Sequence, residues 1–237
     1  MSTYLLVHGA WHGGWCWHRT VADLQRASHR VLAPDLKSQG VDRTPVGEVT
    51  LDLWTQQIAA LAQAQGEPVF LVGHSRGGIV LSEVAERIPD QVRALVYVTA
   101  FMLQNGQSLL DASGMDTESL VGPGMVPSAD QRSVTIRDEA LRDTFYGLCS
   151  DADVQLARSL LVPEPTAPLG TPVHISEARF GRVPRIYVEC TADRAMTLSA
   201  QRRMQEALPG AARITLDADH SPFFSRSREL SDVLLAL

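Results

Sequence analysis

Residues 69–78 read VFLVGHSRGG. An apolar run ends at Gly73-His74-Ser75-Arg76-Gly77, which fits G-x-S-x-G, and Ile79–Arg87 continues with helical spacing until Pro89 stops it. Strand, tight turn, helix is the context in which that pattern presents a nucleophile. The turn forces the serine into a strained backbone conformation and needs small residues two positions to either side. Five residues alone are weak grounds, since a glycine-rich turn with a solvent-facing serine would read the same way. The reading therefore depends on what the rest of the chain places around Ser75.

Outward from this stretch, short apolar runs alternate with helical ones. Tyr4–Val7, Arg30–Ala33, Pro68–Val72, Val92–Val98, Arg185–Cys190 and Ala212–Leu216 read as strands. Trp15–Ala27, Leu51–Gln65, Ile79–Arg87, Leu198–Leu208 and Arg228–Leu237 read as helices. Continuous apolar strands alternating with helices predict an α/β fold: a doubly wound, mainly parallel six-stranded sheet covered on both faces. From Met102 to Val183 the rhythm breaks into a segment rich in proline and glycine with helical patches at Arg137–Leu148 and Asp151–Leu161. No strand pair there extends the sheet. The expected organisation is a core of residues 1–101 and 184–237 with a helical cap, 102–183, inserted over the sheet's C-terminal edge.

A serine hydroxyl needs a base, and the base needs an acid to hold its tautomer. In doubly wound hydrolases these follow in the order serine, acid, histidine, each just beyond a strand. Asp193 follows the strand Arg185–Cys190, and His220 follows Ala212–Leu216. Both fall on the sheet edge that carries Ser75, so Ser75, Asp193 and His220 are the expected catalytic residues. His74 is expected to point away from the nucleophile and pack, and His174 lies in the insertion. Asp217 and Asp219 stand too close to His220 in sequence and read as loop solvation and capping. The oxyanion donors are expected at the backbone amides of Arg76, after the nucleophile, and Ala10, in the loop after the first strand.

That loop belongs to a conspicuous stretch, LVHGAWHGGWCWH, residues 6–18. His8, His12 and His18 fall on strand end, turn and helix with no cysteine or carboxylate at ligand spacing, which argues against metal. Gly9-Ala10-Trp11-His12-Gly13-Gly14 imitates a dinucleotide loop, but Trp11 stands where a glycine must let the backbone approach the pyrophosphate. No cofactor is expected.

The totals agree with a small-molecule enzyme. The 237 residues carry a net charge of -6 and are 45 % hydrophobic. Nucleic acid and anionic membranes select basic surfaces, so neither is the expected partner. No run approaches the roughly 18 apolar residues of a membrane span. MSTYLLVHG has neither a basic leader nor an apolar signal core, and three scattered cysteines imply no disulfide framework, so a cytoplasmic protein is expected.

Taken together, HGAWHGGWCW, GHSRGG, VYVTAFM, LCSDADVQLARSLLVPEP, RFGRVPRIYVECTADRAM and DADHSPFF resemble, in order, blocks of the α/β-hydrolase superfamily. The branch is that of plant methylesterases and hydroxynitrile lyases with their bacterial relatives, and the likeness covers almost the whole chain. The resemblance implies a nucleophile at Ser75, acid at Asp193, base at His220, oxyanion amides at Ala10 and Arg76, and no cofactor. It also bears on the choice between two chemistries. The lyases carry a threonine after the first strand and a lysine after the catalytic histidine. Here those positions are Gly9 and Ser221, which leave a departing cyanide no cation, whereas His220 can protonate an ester's alkoxide. The expectation is a serine carboxylesterase acting on a small apolar or aromatic ester, with Trp11, Phe101, Met102, Phe145 and Phe223 as pocket walls beside Gly9. The Arg76 side chain is expected to pair with a neighbouring acid in preference to attracting an anionic substrate at the entrance. Members of the superfamily often pair as homodimers, and no residue pattern here marks a dimer face.

Overall fold

The computed structural model describes residues 1–237. The first half of the core runs β1 (Thr3–Val7), a 3₁₀ turn at Gly14–Trp17, α1 (His18–Arg26), β2 (Arg30–Leu32), α2 (Leu51–Gln63), β3 (Val69–Ser75), α3 (Gly77–Arg87) and β4 (Val92–Ala100). Residues 101–184 then hold α4 (Leu109–Gly114), α5 (Val121–Gly124), β5 (Met125–Pro127), β6 (Ser133–Ile136), α6 (Leu141–Phe145), α7 (Asp151–Leu160), β7 (Glu164–Pro165) and α8 (Ala167–Gly170). The chain returns to the core with β8 (Arg185–Cys190), α9 (Leu198–Ala207), β9 (Ala211–Leu216), α10 (Pro222–Ser225) and α11 (Ser227–Leu235).

Six strands form one sheet in the order β2-β1-β3-β4-β8-β9, and every pairing is parallel. Alternate side chains leave a strand on opposite faces, so a parallel sheet with two apolar faces needs helices on both. Leu5, Leu71, Leu95 and Tyr97 face Trp54 and Ile58 of α2 and Leu81 and Val84 of α3. Tyr4, Leu6, Val72 and Val96 face Trp17, Leu24 of α1, and Leu230 and Leu234 of α11. The strand order reverses between β1 and β3, and a crevice opens beyond the carboxyl ends of strands at such a switch point.

The insertion departs from the helical cap expected from sequence. It contains a three-stranded antiparallel sheet, β5-β6-β7, with Met125 opposite Ile136 and Val134 opposite Glu164. These strands are two to four residues long, too short to show a period, and two contain proline. The segment Arg137–Leu148 is also less helical than its spacing suggests, with α6 covering only five residues.

Candidate active site

Ser75 closes β3, and its neighbour Gly77 opens α3. The chain reverses between them because Ser75 takes a left-handed backbone, φ +51°, a conformation that costs a non-glycine residue on the order of 1–3 kcal/mol unless its surroundings enforce it. They do: the β3–β4 register slips between His74 and Ser75, and Phe101 N–H donates to Ser75 O at 3.0 Å. A Cβ on Gly77 would lie 2.8 Å from Val7 O and 3.0 Å from His8 O. Glycine there lets α3 start directly against β1, so its N-terminus, the positive end of its dipole, begins beside the serine.

His220 and Asp193 arrive from the loops after β9 and β8. His220 Nδ1 donates to Asp193 Oδ2 at 2.7 Å, which fixes the tautomer and leaves Nε2 bare as an acceptor. Asp193 is buried, and Oδ1 accepts from the amides of Ala195 and Met196 at 2.7 and 2.8 Å. Its Oδ2 also accepts from the Thr99 hydroxyl. Thr99 was missed by the sequence reading. The signal was a polar residue at the C-terminal end of a core strand, on the edge where Asp193 arrives. His74 packs as expected: its Nε2 donates to His220 O at 2.7 Å, holding the His220 backbone from behind.

Asp219 differs from its reading as a solvated loop residue. It is 2 % exposed, and its carboxylate gathers Leu148 N at 2.8 Å, Cys149 Sγ at 3.3 Å, Ser221 N at 3.0 Å and Ser225 Oγ at 2.7 Å. Two of these donors belong to the insertion, so Asp219 ties it to the His220 loop. Asp217 is exposed and accepts from Thr191 Oγ1 at 3.0 Å. His174 is exposed in the insertion.

Neither the Ala10 amide nor the Arg76 amide donates to a protein group. Around them the crowded opening stretch is buried and bonded. His8 Nδ1 donates to Gly9 O at 2.8 Å, and His8 Nε2 accepts from Leu36 N at 3.1 Å. His12 Nδ1 donates to Ala10 O and its Nε2 accepts from the Tyr146 hydroxyl, both at 2.7 Å. Burial holds the His12 ring neutral, pulling its pKa from 6.5 down to about 4, and holds His8 and His74 well below the usual imidazole range. His18 is exposed on α1.

The Arg76 side chain is 1 % exposed, away from any entrance. Its Nε pairs with Glu164 Oε1 at 2.9 Å, Nη2 donates to Gly9 O at 2.9 Å, and the guanidinium lies 4.1 Å over the Trp54 ring. Burial pushes the Glu164 carboxyl up, opposed by the Arg76 charge beside it.

Ser75 and His220 open together onto a cavity of about 910 Å³ between the sheet edge and the insertion. Ala10, Trp11, Arg76, Phe101, Met102 and Phe145 also line it. Two residues expected there do not. Phe223 is fully buried, carried by α10 into the core, where its ring meets His74 at 5.0 Å and Trp17 at 5.4 Å. Gly9 lies beneath the serine: a Cβ there would stand 2.7 Å from His74 Nδ1 and 2.9 Å from Ser75 Cβ. A larger residue there would therefore displace His74 or Ser75.

The comparison with known proteins agrees with this geometry. The model of the "Alpha/beta hydrolase family" matches residues 4–233. Methylesterase 2 of Arabidopsis thaliana is 32 % identical over 251 residues, covering 99 % of this chain and 95 % of that protein. A pyrethroid hydrolase of Sphingobium wenxiniae is 32 % identical over 252 residues, covering 99 % and 86 %. A crystal structure of an Arabidopsis methylesterase superposes with a TM-score of 0.86 at 27 % identity, over 100 % of this chain and 98 % of that one. The chain belongs to the alpha/beta hydrolase family, in its branch of methylesterase-like carboxylic ester hydrolases.

Proposed function

We propose that the protein is a serine carboxylesterase that works through an acyl-enzyme, with Ser75 as nucleophile, His220 as base and Asp193 as its orienting acid. The observation that carries this reading is the convergence of Ser75 and His220 on one cavity, with Asp193 bonded to the far nitrogen of the ring. Ser75 Oγ attacks the ester carbonyl as His220 Nε2 takes its proton. The carbonyl oxygen, now anionic, is received by the free amides of Ala10 and Arg76 at the N-terminus of α3. His220 returns the proton to the departing alkoxide, then activates the water that releases the acid. Asp193 stabilises the transient imidazolium.

Substrate class follows from the walls. Trp11, Phe101, Met102 and Phe145 are apolar, and a cavity of about 910 Å³ suits a drug-sized molecule. The substrate is an apolar or aromatic ester. Relatives bearing the names methylesterase and pyrethroid hydrolase support ester chemistry on a range of sizes. A lyase reading is disfavoured by the crowding at Gly9 and by Ser221, which puts no cation beside His220.

The test is a hydrolysis panel of methyl, p-nitrophenyl and bulky aromatic esters on the wild type and Ser75→Ala. Loss of at least about a thousand-fold in kcat is expected for the variant, together with loss of fluorophosphonate labelling. Full activity of Ser75→Ala would refute the scheme, and cyanide release from mandelonitrile above background would move it to the lyase.

A further inference from the structure

The Arg76–Glu164 pair joins two parts of the chain 88 positions apart at a place where an apolar pair would be expected to serve stability as well. Both side chains are at most 1 % exposed. Desolvating two charges offsets most of what their attraction returns, and well-packed apolar replacements are often neutral or stabilising. What the pair touches indicates a different role.

A trans peptide points its C=O and N–H in opposite directions. In the Gly9–Ala10 peptide, Gly9 O is held by Arg76 Nη2 at 2.9 Å and His8 Nδ1 at 2.8 Å. Fixing that oxygen aims the Ala10 N–H the other way. In the Ala10–Trp11 peptide, Ala10 O is held by His12, and Trp11 N–H donates to Glu164 Oε2 at 3.0 Å. Both peptide planes flanking the Ala10 Cα are thereby set from outside the loop. Trp11 needs such restraint, since its φ of +63° is left-handed. The insertion supplies the rest of it through Val134 O, which accepts the indole Nε1–H at 2.8 Å, and Val162 N, which donates to Trp11 O at 3.0 Å.

Building on the esterase reading of Ser75, we propose that Arg76 and Glu164 are positioning residues for the oxyanion hole. Arg76 gives one amide from its backbone and orients the other through its side chain. Glu164, one carboxylate on β7 of the insertion, holds that guanidinium with one oxygen and the Trp11 amide with the other. The Ala10 donor is therefore aligned only when the insertion is seated on the core, whereas the Arg76 amide is placed by the β3–α3 turn.

The test compares the full chain with Arg76→Met/Glu164→Met, Glu164→Gln and Arg76→Lys. The measurements are kcat and KM on a p-nitrophenyl ester, Tm, and inhibition by a trifluoromethyl ketone that forms an oxyanion on the serine. The double variant removes the charges together and fills their volume. It is expected to fold with a Tm lowered by a few degrees, because the Trp11 N–H loses its acceptor, while kcat falls about 10- to 100-fold, KM changes less than about threefold, and ketone affinity falls in step with kcat. Arg76→Lys keeps a charge for Glu164 but lacks the fork that also reaches Gly9 O, and is expected to show the same loss. Glu164→Gln retains an acceptor for Trp11 N–H and is expected to lose less than either. Wild-type kcat and ketone affinity in a folded double variant overturn the proposal, and if that variant does not fold, the same result in Arg76→Lys does. Ser75→Ala, run alongside, separates the two questions. If it remains active, the esterase reading has failed; if it is dead while the pair variants are unimpaired, only the positioning role has.

Discussion

Thr99 shows how much of the site rests on residues that do no chemistry. It is β-branched yet holds φ +36°, a region such residues avoid, at the end of the strand beside Asp193. The strain is tolerated where its hydroxyl meets Asp193 Oδ2, the oxygen that also receives His220. Thr99→Val keeps the shape and deletes the donor. We expect kcat to fall about 10-fold with little change in KM, because a hydrogen bond to a charged acceptor is worth roughly 1.5–3 kcal/mol. Thr99→Ser should recover most of the loss, and a valine variant with wild-type kcat would count against the assignment. Gly9 makes the complementary point. A Cβ there would stand 2.9 Å from Ser75 Cβ, so the missing side chain is what leaves the serine its room.

Among elements, the insertion contributes most that alternating strands and helices did not announce. Its anchors beside the chemistry include Glu164 beneath the Ala10 loop and the Leu148–Cys149 turn on Asp219. The second anchor can be cut alone. Asp219→Ala leaves the Ser221 amide without its acceptor, and we expect a stability loss of about 1–3 kcal/mol in urea unfolding. Faster hydrogen exchange at the Leu148 and Ser221 amides should accompany it. Unchanged protection there would show that the carboxylate does not hold the insertion. The helices of the insertion were legible where their caps are local. Ser150 accepts from Asp153 N–H at 3.2 Å while Asp153 accepts from Ser150 N–H at 3.2 Å, a box that starts α7. The β5-β6-β7 sheet was not legible, since its pairing partners lie up to about thirty residues apart and each strand is too short to carry a pattern.

For the molecule as a whole, His8, His12 and His74 make stability depend on pH. Each is fully buried and held neutral, His12 down to about 4 and the other two also well below the usual imidazole range. In the unfolded chain such rings take a proton near 6.5. Below that pH the unfolded state binds more protons than the folded one, so the balance moves towards unfolding as pH falls. For His12 the loss runs from about 6.5 down to about 4, where the folded ring also charges. A ring that is protonated in the unfolded chain and neutral in the folded one contributes up to about 1.4 kcal/mol per pH unit. Chemical denaturation at pH 7.5, 6 and 5 should show stability falling with pH, and equal stability at 7.5 and 5 would contradict the neutral assignment.

The sequence by itself determined the sheet, its parallel strands and the ends on which Ser75, Asp193 and His220 sit. Those features are written in contiguous runs: an apolar period, a glycine on either side of a serine, a polar residue just past a strand. It also favoured a neighbouring acid as the partner of Arg76 over a role at the entrance. Only the tertiary structure decided which acid that is, that Phe223 leaves the pocket for the core, that Asp219 is buried, and that Glu164 reaches the amides beside Ala10. Each of these depends on contacts between segments 71 to 153 residues apart or on the direction a short helix takes. Such contacts leave no local period, because they form only when two independently folded surfaces are pressed together.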